Sequence, residues 1–118
     1  MRAKDSLGRY GEDIAVAHLE AAGLQVLERN WRCRWGEIDI VAQDGDCLVV
    51  CEVKTRRSVT AGGPLEAVTR AKLGRLRRLT AAWLAHQDQH FAQIRIDVIG
   101  VLRPPRGRIV VEHLKSVL

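Results

Sequence analysis

The chain has 118 residues, of which 47% are hydrophobic and 28% charged, and its formal net charge is +5. This length suits a single domain, residues 1–118, because a chain of this size can bury one core but is too short for a second. The N-terminal residues carry several charges without an apolar segment, and no run approaches the ~18 apolar residues of a membrane span, so we expect no signal peptide, no membrane partner and a cytoplasmic location.

Periodicity and turn residues predict seven elements in the order α-β-β-β-α-β-β. The first helix is expected from about Ser6 to Ala22, because apolar residues recur there at helical spacing and Gly23 is a stop signal. The break at Gly62-Gly63-Pro64 opens a second helix that runs to about His86. Strands are predicted near Gln25–Arg32, Glu37–Gln43, Cys47–Thr55, Gln93–Leu102 and Ile109–Leu114. This order predicts an α/β domain with a central mixed sheet flanked by helices.

Charged side chains interrupt the second and third strands, where Val or Ile would be typical. Successive side chains of a strand alternate between faces, so Glu37, Asp39 and Val41 are expected on one face of their strand. By the same rule, Glu52 and Lys54 share one face of the next strand. The turn at residues 44–46 makes the two strands antiparallel neighbours. Buried carboxylates are costly unless a positive charge compensates them, so the pattern predicts a bound cation.

The types of these residues indicate what the site would do. Asp39 and Glu52 supply the oxygen ligands that Mg²⁺ or Mn²⁺ takes at octahedral sites. Lys54 would orient a water molecule or neutralise charge on a phosphoryl group. The alternative is an exposed ion pair of Glu52 with Lys54 and a solvated Asp39. The sequence pattern D-x12-E-x-K, which here joins Asp39, Glu52 and Lys54 across two hydrophobic strands and a turn, is rarer than an isolated E-x-K. It therefore favours the metal site over the ion pair.

The second helix carries Lys72 in the middle of an apolar stripe. The other members of this stripe are Leu65, Val68, Leu76, Leu79 and Trp83. A lysine in this position either extends to solvent or faces a negative group, which would be the carboxylate cluster or a bound phosphate. Asp97 of the fourth strand is another candidate partner for Lys72, or else a structural acceptor of a salt bridge.

Basic residues bracket the two acidic strands in the sequence. They are Arg32, Arg34, Arg56 and Arg57. An excess of Lys and Arg fits either a polyanionic partner or a surface that only aids solubility, but this placement suits an anionic chain laid across a metal ion. Trp31 and Trp35 stand beside the first two arginines, where they would stack on unpaired bases or, as we favour, pack at the edge of the core.

Taken together, the motifs resemble the bacterial YraN-like family of the PD-(D/E)XK nuclease superfamily. The matching segments are Gly8–Glu12, Arg29–Arg32, Gly36–Asp39, Glu52–Arg56, Lys72 and Ile96–Ile99. They span nearly the whole chain. The resemblance implies a restriction-endonuclease-like fold, similar in its core to archaeal Holliday junction resolvases.

The resemblance also implies an activity, that of a metal-dependent endonuclease on DNA, structured or branched, with Mg²⁺ or Mn²⁺ as cofactor. It makes Glu12 the third metal-binding carboxylate, although position alone favours a glutamate that only interacts with the helix dipole. The Val53 carbonyl would join the metal shell, Lys72 would face the same site, and Arg9 would join the arginines that bind the nucleic acid. A binding module of the same fold that is catalytically silent without a partner is the alternative, and a homodimer stays open by analogy with resolvases.

Overall fold

The computed structural model describes residues 5–58, 66 and 68–117. The elements are α1 (Ser6–Ala21), β1 (Gln25–Cys33), β2 (Gly36–Asp44), β3 (Cys47–Arg56), α2 (Arg70–Ala85), β4 (Gln93–Leu102) and β5 (Val110–Leu114). The predicted order of helices and strands is confirmed. Neither of the helices in these ranges is long and apolar enough to cross a membrane.

The five strands form one mixed sheet whose spatial order, β1-β2-β3-β4-β5, follows the chain. The pairs β1–β2, β2–β3 and β4–β5 are antiparallel, and β3–β4 is parallel. Short turns join the antiparallel neighbours, whereas a parallel pair needs a long crossover, and α2 lies within that crossover.

The two helices cover opposite faces of the sheet. In β3, Cys47, Val49 and Cys51 pack with α1, while Leu48 and Val50 pack with α2. Because both faces of this central strand are buried, it is continuously hydrophobic rather than alternating with polar residues. The predicted mixed sheet flanked by helices is therefore confirmed.

Helix α2 begins later than the sequence predicted. Thr69 has an extended backbone, with φ −100° and ψ 166°, and its hydroxyl accepts a hydrogen bond from the Lys72 N–H at 3.2 Å. This cap starts the helix at Arg70, so the expectation that Val68 is already helical is wrong. The predicted start at Pro64 lies outside the described residues.

The side chains of β2 do not alternate strictly between faces. Ile38 and Val41 both pack on the α2 face, although they are three positions apart and would lie on opposite faces of a regular strand, and Ile40 packs on the α1 face. The interruption falls at Asp39. Opposite it in β1 stands Asn30, whose φ of 52° is in the left-handed region that Asn tolerates. The expectation that Glu37, Asp39 and Val41 share one face is therefore wrong.

Candidate metal and nucleic-acid site

Asp39 of β2 and Glu52 of β3 meet where the β2–β3 ladder ends. The last backbone pair of this ladder joins Ile40 to Cys51. Beyond it, Asp39 Oδ2 accepts a hydrogen bond from the Val53 N–H at 2.9 Å. The buried carboxylate thus serves as an acceptor for the backbone of β3 while lying beside a second carboxylate.

The carboxyl of Glu52 is largely buried and interacts with that of Asp39. Burial raises the pKa of Glu52 to about 7, and the charge of Asp39 and a hydrogen bond between the two carboxyl groups contribute to the rise. Like charges this close resist double ionisation, so the metal-free pair tends to retain a proton near neutral pH. A bound cation would supply the charge that allows both carboxylates to ionise.

Two lysines bring positive charge to the same place. Val53 packs on the α1 face, so its neighbours Glu52 and Lys54 project to the α2 face. Lys72 lies there in the first turn of α2. Burial lowers the pKa of Lys72, the adjacent Lys54 ammonium lowers it further, and the Glu52 carboxylate partly offsets both effects. The structure thus places Lys72 at the carboxylate pair, as its helical stripe predicted.

Glu12 is buried in α1, and its described hydrogen bonds go to β1. Its Oε1 accepts hydrogen bonds from Arg29 Nε at 3.0 Å and from Asn30 Nδ2 at 2.7 Å. Within residues 5–58, 66 and 68–117, no group of three or more His, Cys, Asp and Glu side chains is arranged to hold a metal ion. The structure therefore brings together two of the three predicted carboxylates, and the place of Glu12 in a metal shell stays a prediction, as does that of the Val53 carbonyl.

The predicted DNA-binding arginines of the strands share one end of the sheet. β3 ends at Arg56 and the antiparallel β2 begins at Gly36, so the β1–β2 turn and the C-terminus of β3 lie at the same end. Arg32 is held there by Glu37, with Nε 3.0 Å from Oε2. Arg34 is exposed in the turn.

An open cleft runs between the C-terminus of β3 and the start of α1. It has a volume of about 660 Å³, and Arg56, Arg57 and Ser58 line it. A smaller cleft of about 220 Å³ shares part of this lining and reaches Lys54. Arg9 is exposed on α1. The cleft that Arg56 and Arg57 line thus adjoins a cleft that Lys54 lines.

Asp97 is not a partner of Lys72. It pairs in register with Cys51 and belongs to the α1 face, where it accepts hydrogen bonds from His113 Nε2 at 2.7 Å and Ser116 N–H at 2.9 Å. Arg95 forms a salt bridge with it at 3.2 Å. Of the two alternatives for Asp97, the structural acceptor is correct.

The architecture defines a fold class. A single five-stranded mixed sheet between two helices, in the order α-β-β-β-α-β-β, is consistent with a restriction-endonuclease-like fold. The model of the Uncharacterised protein family UPF0102 matches residues 11–101, and the chain belongs to that family.

Three relatives show how far this similarity extends. The UPF0102 protein of Kineococcus radiotolerans is 61% identical over 118 residues, which cover 99% of this chain and 97% of the relative. That of Beutenbergia cavernae is 60% identical over 117 residues, with 99% of both chains covered. That of Streptomyces griseus is 56% identical over 118 residues, again with 99% of both covered. The resemblance to the YraN-like family is confirmed at the level of the family.

Proposed function

We propose that the chain is a divalent-metal-dependent endonuclease of the PD-(D/E)XK superfamily that hydrolyses phosphodiester bonds in structured or branched DNA. The observation that carries this proposal is the buried carboxylate of Asp39 next to the partly buried carboxylate of Glu52, with Lys54 and Lys72 beside them. A surface that only binds a polyanion gains nothing from buried carboxylates, because they repel phosphate and are costly to desolvate. A site that binds a cation and acts on phosphate, in contrast, uses carboxylates as ligands of the cation.

The donor set fits a hard divalent ion. Asp39 and Glu52 would hold Mg²⁺ or Mn²⁺, and Glu12 and the Val53 carbonyl are the further ligands that we propose. When bound, such an ion supplies positive charge to the phosphoryl oxygens and acidifies a bound water. Because the protein would supply only a few ligands, positions on the ion would stay open for water and phosphate.

The two lysines have different roles in this proposal. Lys54, two residues beyond Glu52 on the same face, orients the attacking water and neutralises charge that develops on the phosphoryl group. Lys72 has a lowered pKa, because it is partly buried beside Lys54, and so it releases a proton more readily than an exposed lysine. That property suits Lys72 to protonate the leaving oxygen.

A second candidate function is a DNA-binding module of the same fold that is catalytically silent without a partner. The bonding of Glu12 favours it, since Oε1 of this carboxylate is engaged by Arg29 and Asn30 of β1. A partner or the DNA itself would then have to rearrange α1 against β1 before three carboxylates could meet.

Cleavage of a DNA panel separates the two functions. Purified protein is incubated with single-stranded, duplex, flap and four-way-junction DNA in Mg²⁺, in Mn²⁺ and in EDTA. We expect cleavage of at least one structured substrate only with the divalent ion. Lys54→Ala should retain DNA binding and lose turnover, because its role lies in the transition state, while Lys115→Ala, an exposed lysine of the C-terminal segment, should cleave as the parent does.

Two outcomes would contradict the endonuclease. Cleavage by Lys54→Ala at the parental rate rules out the role of Lys54. If the parent binds DNA but cuts no substrate of the panel, the binding module becomes the better account of the chain.

A further inference from the structure

Trp35 differs from the other two tryptophans of the chain in being exposed. It has 51% of its surface open to solvent, whereas Trp83 has 6%. Trp31 packs on the α2 face and contacts His86, with the ring centroids 5.7 Å apart. Packing thus accounts for Trp31 and Trp83 but not for the indole of Trp35, which leaves a large apolar surface in water.

The β1–β2 turn holds Trp35 in a defined position. The Arg34 guanidinium lies 4.3 Å from the centroid of the Trp35 ring, a cation–π contact. The next residue, Gly36, has a φ of 139°, which residues other than Gly rarely adopt, and a Cβ added to it would lie 3.7 Å from Leu79 of α2. The indole is therefore presented by a turn that the sheet and α2 support.

The position of Trp35 connects it to the candidate site. It directly precedes β2, and Asp39 follows four residues later, which is about 13 Å at ~3.3 Å per residue. Arg34 contacts it from the same turn, and Arg56 and Arg57 lie at the same end of the sheet. An exposed π surface among arginines matches a nucleotide, which combines a flat apolar base with an anionic backbone.

We propose that Arg34 and Trp35 form a stacking platform for one unpaired nucleobase of the DNA substrate. In a continuous duplex both faces of each base are covered by its neighbours, so an unpaired base is the one that can stack on the indole. The platform gives the chain a preference for DNA with unpaired bases beside the bond to be cut. This inference rests on the proposed function for its substrate, although the stacking itself requires no turnover.

The test measures binding in EDTA, where no cleavage occurs. Fluorescence anisotropy compares two labelled DNAs of equal length and ends, one fully paired and one with a central loop of unpaired bases. The variants are Trp35→Ala, Trp35→Phe, which keeps a ring, and Ile94→Ala as the control. Ile94 is 50% exposed and lies at the start of β4, at the opposite end of the sheet. Circular dichroism checks that each variant is folded.

We expect the parent to bind the looped DNA about tenfold more tightly than the paired DNA, the size of effect that one stacked base gives. Trp35→Ala should lose this preference while its affinity for paired DNA changes by less than about twofold. Trp35→Phe should retain most of the preference, and Ile94→Ala all of it.

The proposal is overturned if the parent shows no preference, if Trp35→Ala keeps it, or if Trp35→Ala weakens binding to both DNAs equally. Failure of the endonuclease proposal would be seen elsewhere, as absent cleavage with Mn²⁺, and would leave these affinities in EDTA unchanged.

Discussion

At the scale of single residues, Asp39 serves the fold and the candidate site with the same carboxylate. Its Oδ2 accepts the hydrogen bond of the Val53 N–H at the point where the ladder between β2 and β3 ends. An apolar residue here would leave that amide without its acceptor, at a cost of about 1–3 kcal/mol. The arrangement also brings repulsion with Glu52, which a bound cation would relieve.

The first prediction concerns metal binding by this pair. Calorimetric titration with Mn²⁺ should show one weak to moderate site in the parent that Asp39→Asn or Glu52→Gln removes. Asn at position 39 retains an oxygen that can accept the Val53 hydrogen bond, so the domain should stay folded. Asp88→Asn, an exposed aspartate after α2, is the control and should bind as the parent does. Binding of Mn²⁺ by both site variants at the parental affinity would show that the ion binds elsewhere.

The second prediction is the pH dependence of stability in EDTA. The pKa of Glu52 is about 7 in the fold against an ordinary value of 4.5, so between these values the folded state binds more protons than the unfolded state. The stabilising contribution of protonated Glu52 is therefore complete at low pH and is lost as the pH rises toward the folded pKa. Glu52→Gln mimics the protonated form, and it should stabilise the protein by about 1–3 kcal/mol near pH 8 and by much less near pH 5.

Urea denaturation at the two pH values measures this difference. Glu20→Gln, an exposed glutamate of α1, is the control and should change the free energy of unfolding by less than about 0.5 kcal/mol at either pH. An equal effect of Glu52→Gln at both pH values would contradict the raised pKa.

At the scale of elements, the contact of α1 with the end of β3 depends on one glycine. A Cβ on Gly11 would overlap Thr55 of β3, with its Cβ atom 2.8 Å away and its Oγ1 closer still. The helix therefore approaches the strand more closely there than any side chain permits. This approach fixes α1, and with it Glu12, next to the strand that carries Glu52 and Lys54.

The third prediction tests this contact with two Gly→Ala substitutions. Gly11→Ala should destabilise the domain by about 1–3 kcal/mol, because α1 must move away from β3. Gly74→Ala in α2 is the matched control: a Cβ added there would have no neighbouring atom within 4 Å, and the substitution should stabilise by about 0.5–1 kcal/mol, since Ala is the better helix former. Thermal and urea unfolding measure both. A neutral Gly11→Ala would show that α1 is not held closely at this point.

The sequence predicts the elements well where local signals decide them. The strand β4 has its predicted bounds, Gln93–Leu102, and each other strand differs from prediction by one residue, at one end or, in β2, at both ends. The expectation that α2 already includes Val68 is wrong because Thr69, with an extended backbone, caps the helix. The change of face at Asp39 follows no periodic pattern: Asn30, opposite it, has a left-handed backbone, and the Asn30 side chain donates a hydrogen bond to Glu12 of another layer of the fold.

The residues of the candidate site follow from local patterns, whereas the contacts between distant segments do not. Glu52 and Lys54 follow from strand alternation, Asp39 from the tight turn that joins its strand to theirs, and Lys72 from its place in a helical stripe. Contacts between distant segments could not be predicted, since no periodicity links Asp97 to His113 or to the backbone of Ser116.

At the scale of the whole molecule, charge is distributed unevenly over the sheet. One end of the sheet holds the β1–β2 turn together with the C-termini of β3 and of the parallel β4. Arg34, Arg56 and Arg103 lie at this end, and the Arg103 N–H donates a hydrogen bond to the Arg56 carbonyl at 2.8 Å. The opposite end carries the β2–β3 turn with Asp44 and Asp46. Under the proposed function, a polyanion would be drawn to the end that holds the candidate site.

The last prediction uses this asymmetry to separate specific placement from total charge. The double variant Arg56→Ala, Arg57→Ala and the control Arg77→Ala, Arg78→Ala each remove two positive charges, but the control pair lies exposed on α2, away from the clefts. If Arg56 and Arg57 contact phosphates, the first variant should weaken DNA binding for all sequences. It should also reduce the slope of log K against log salt by about 2, at ~0.9 per lost contact. The control should change the slope by less than about 0.5. Binding titrations over a range of salt concentrations in EDTA give both slopes. Equal losses of affinity and slope in the two variants would show that net charge alone, rather than the cleft beside Lys54, attracts the DNA.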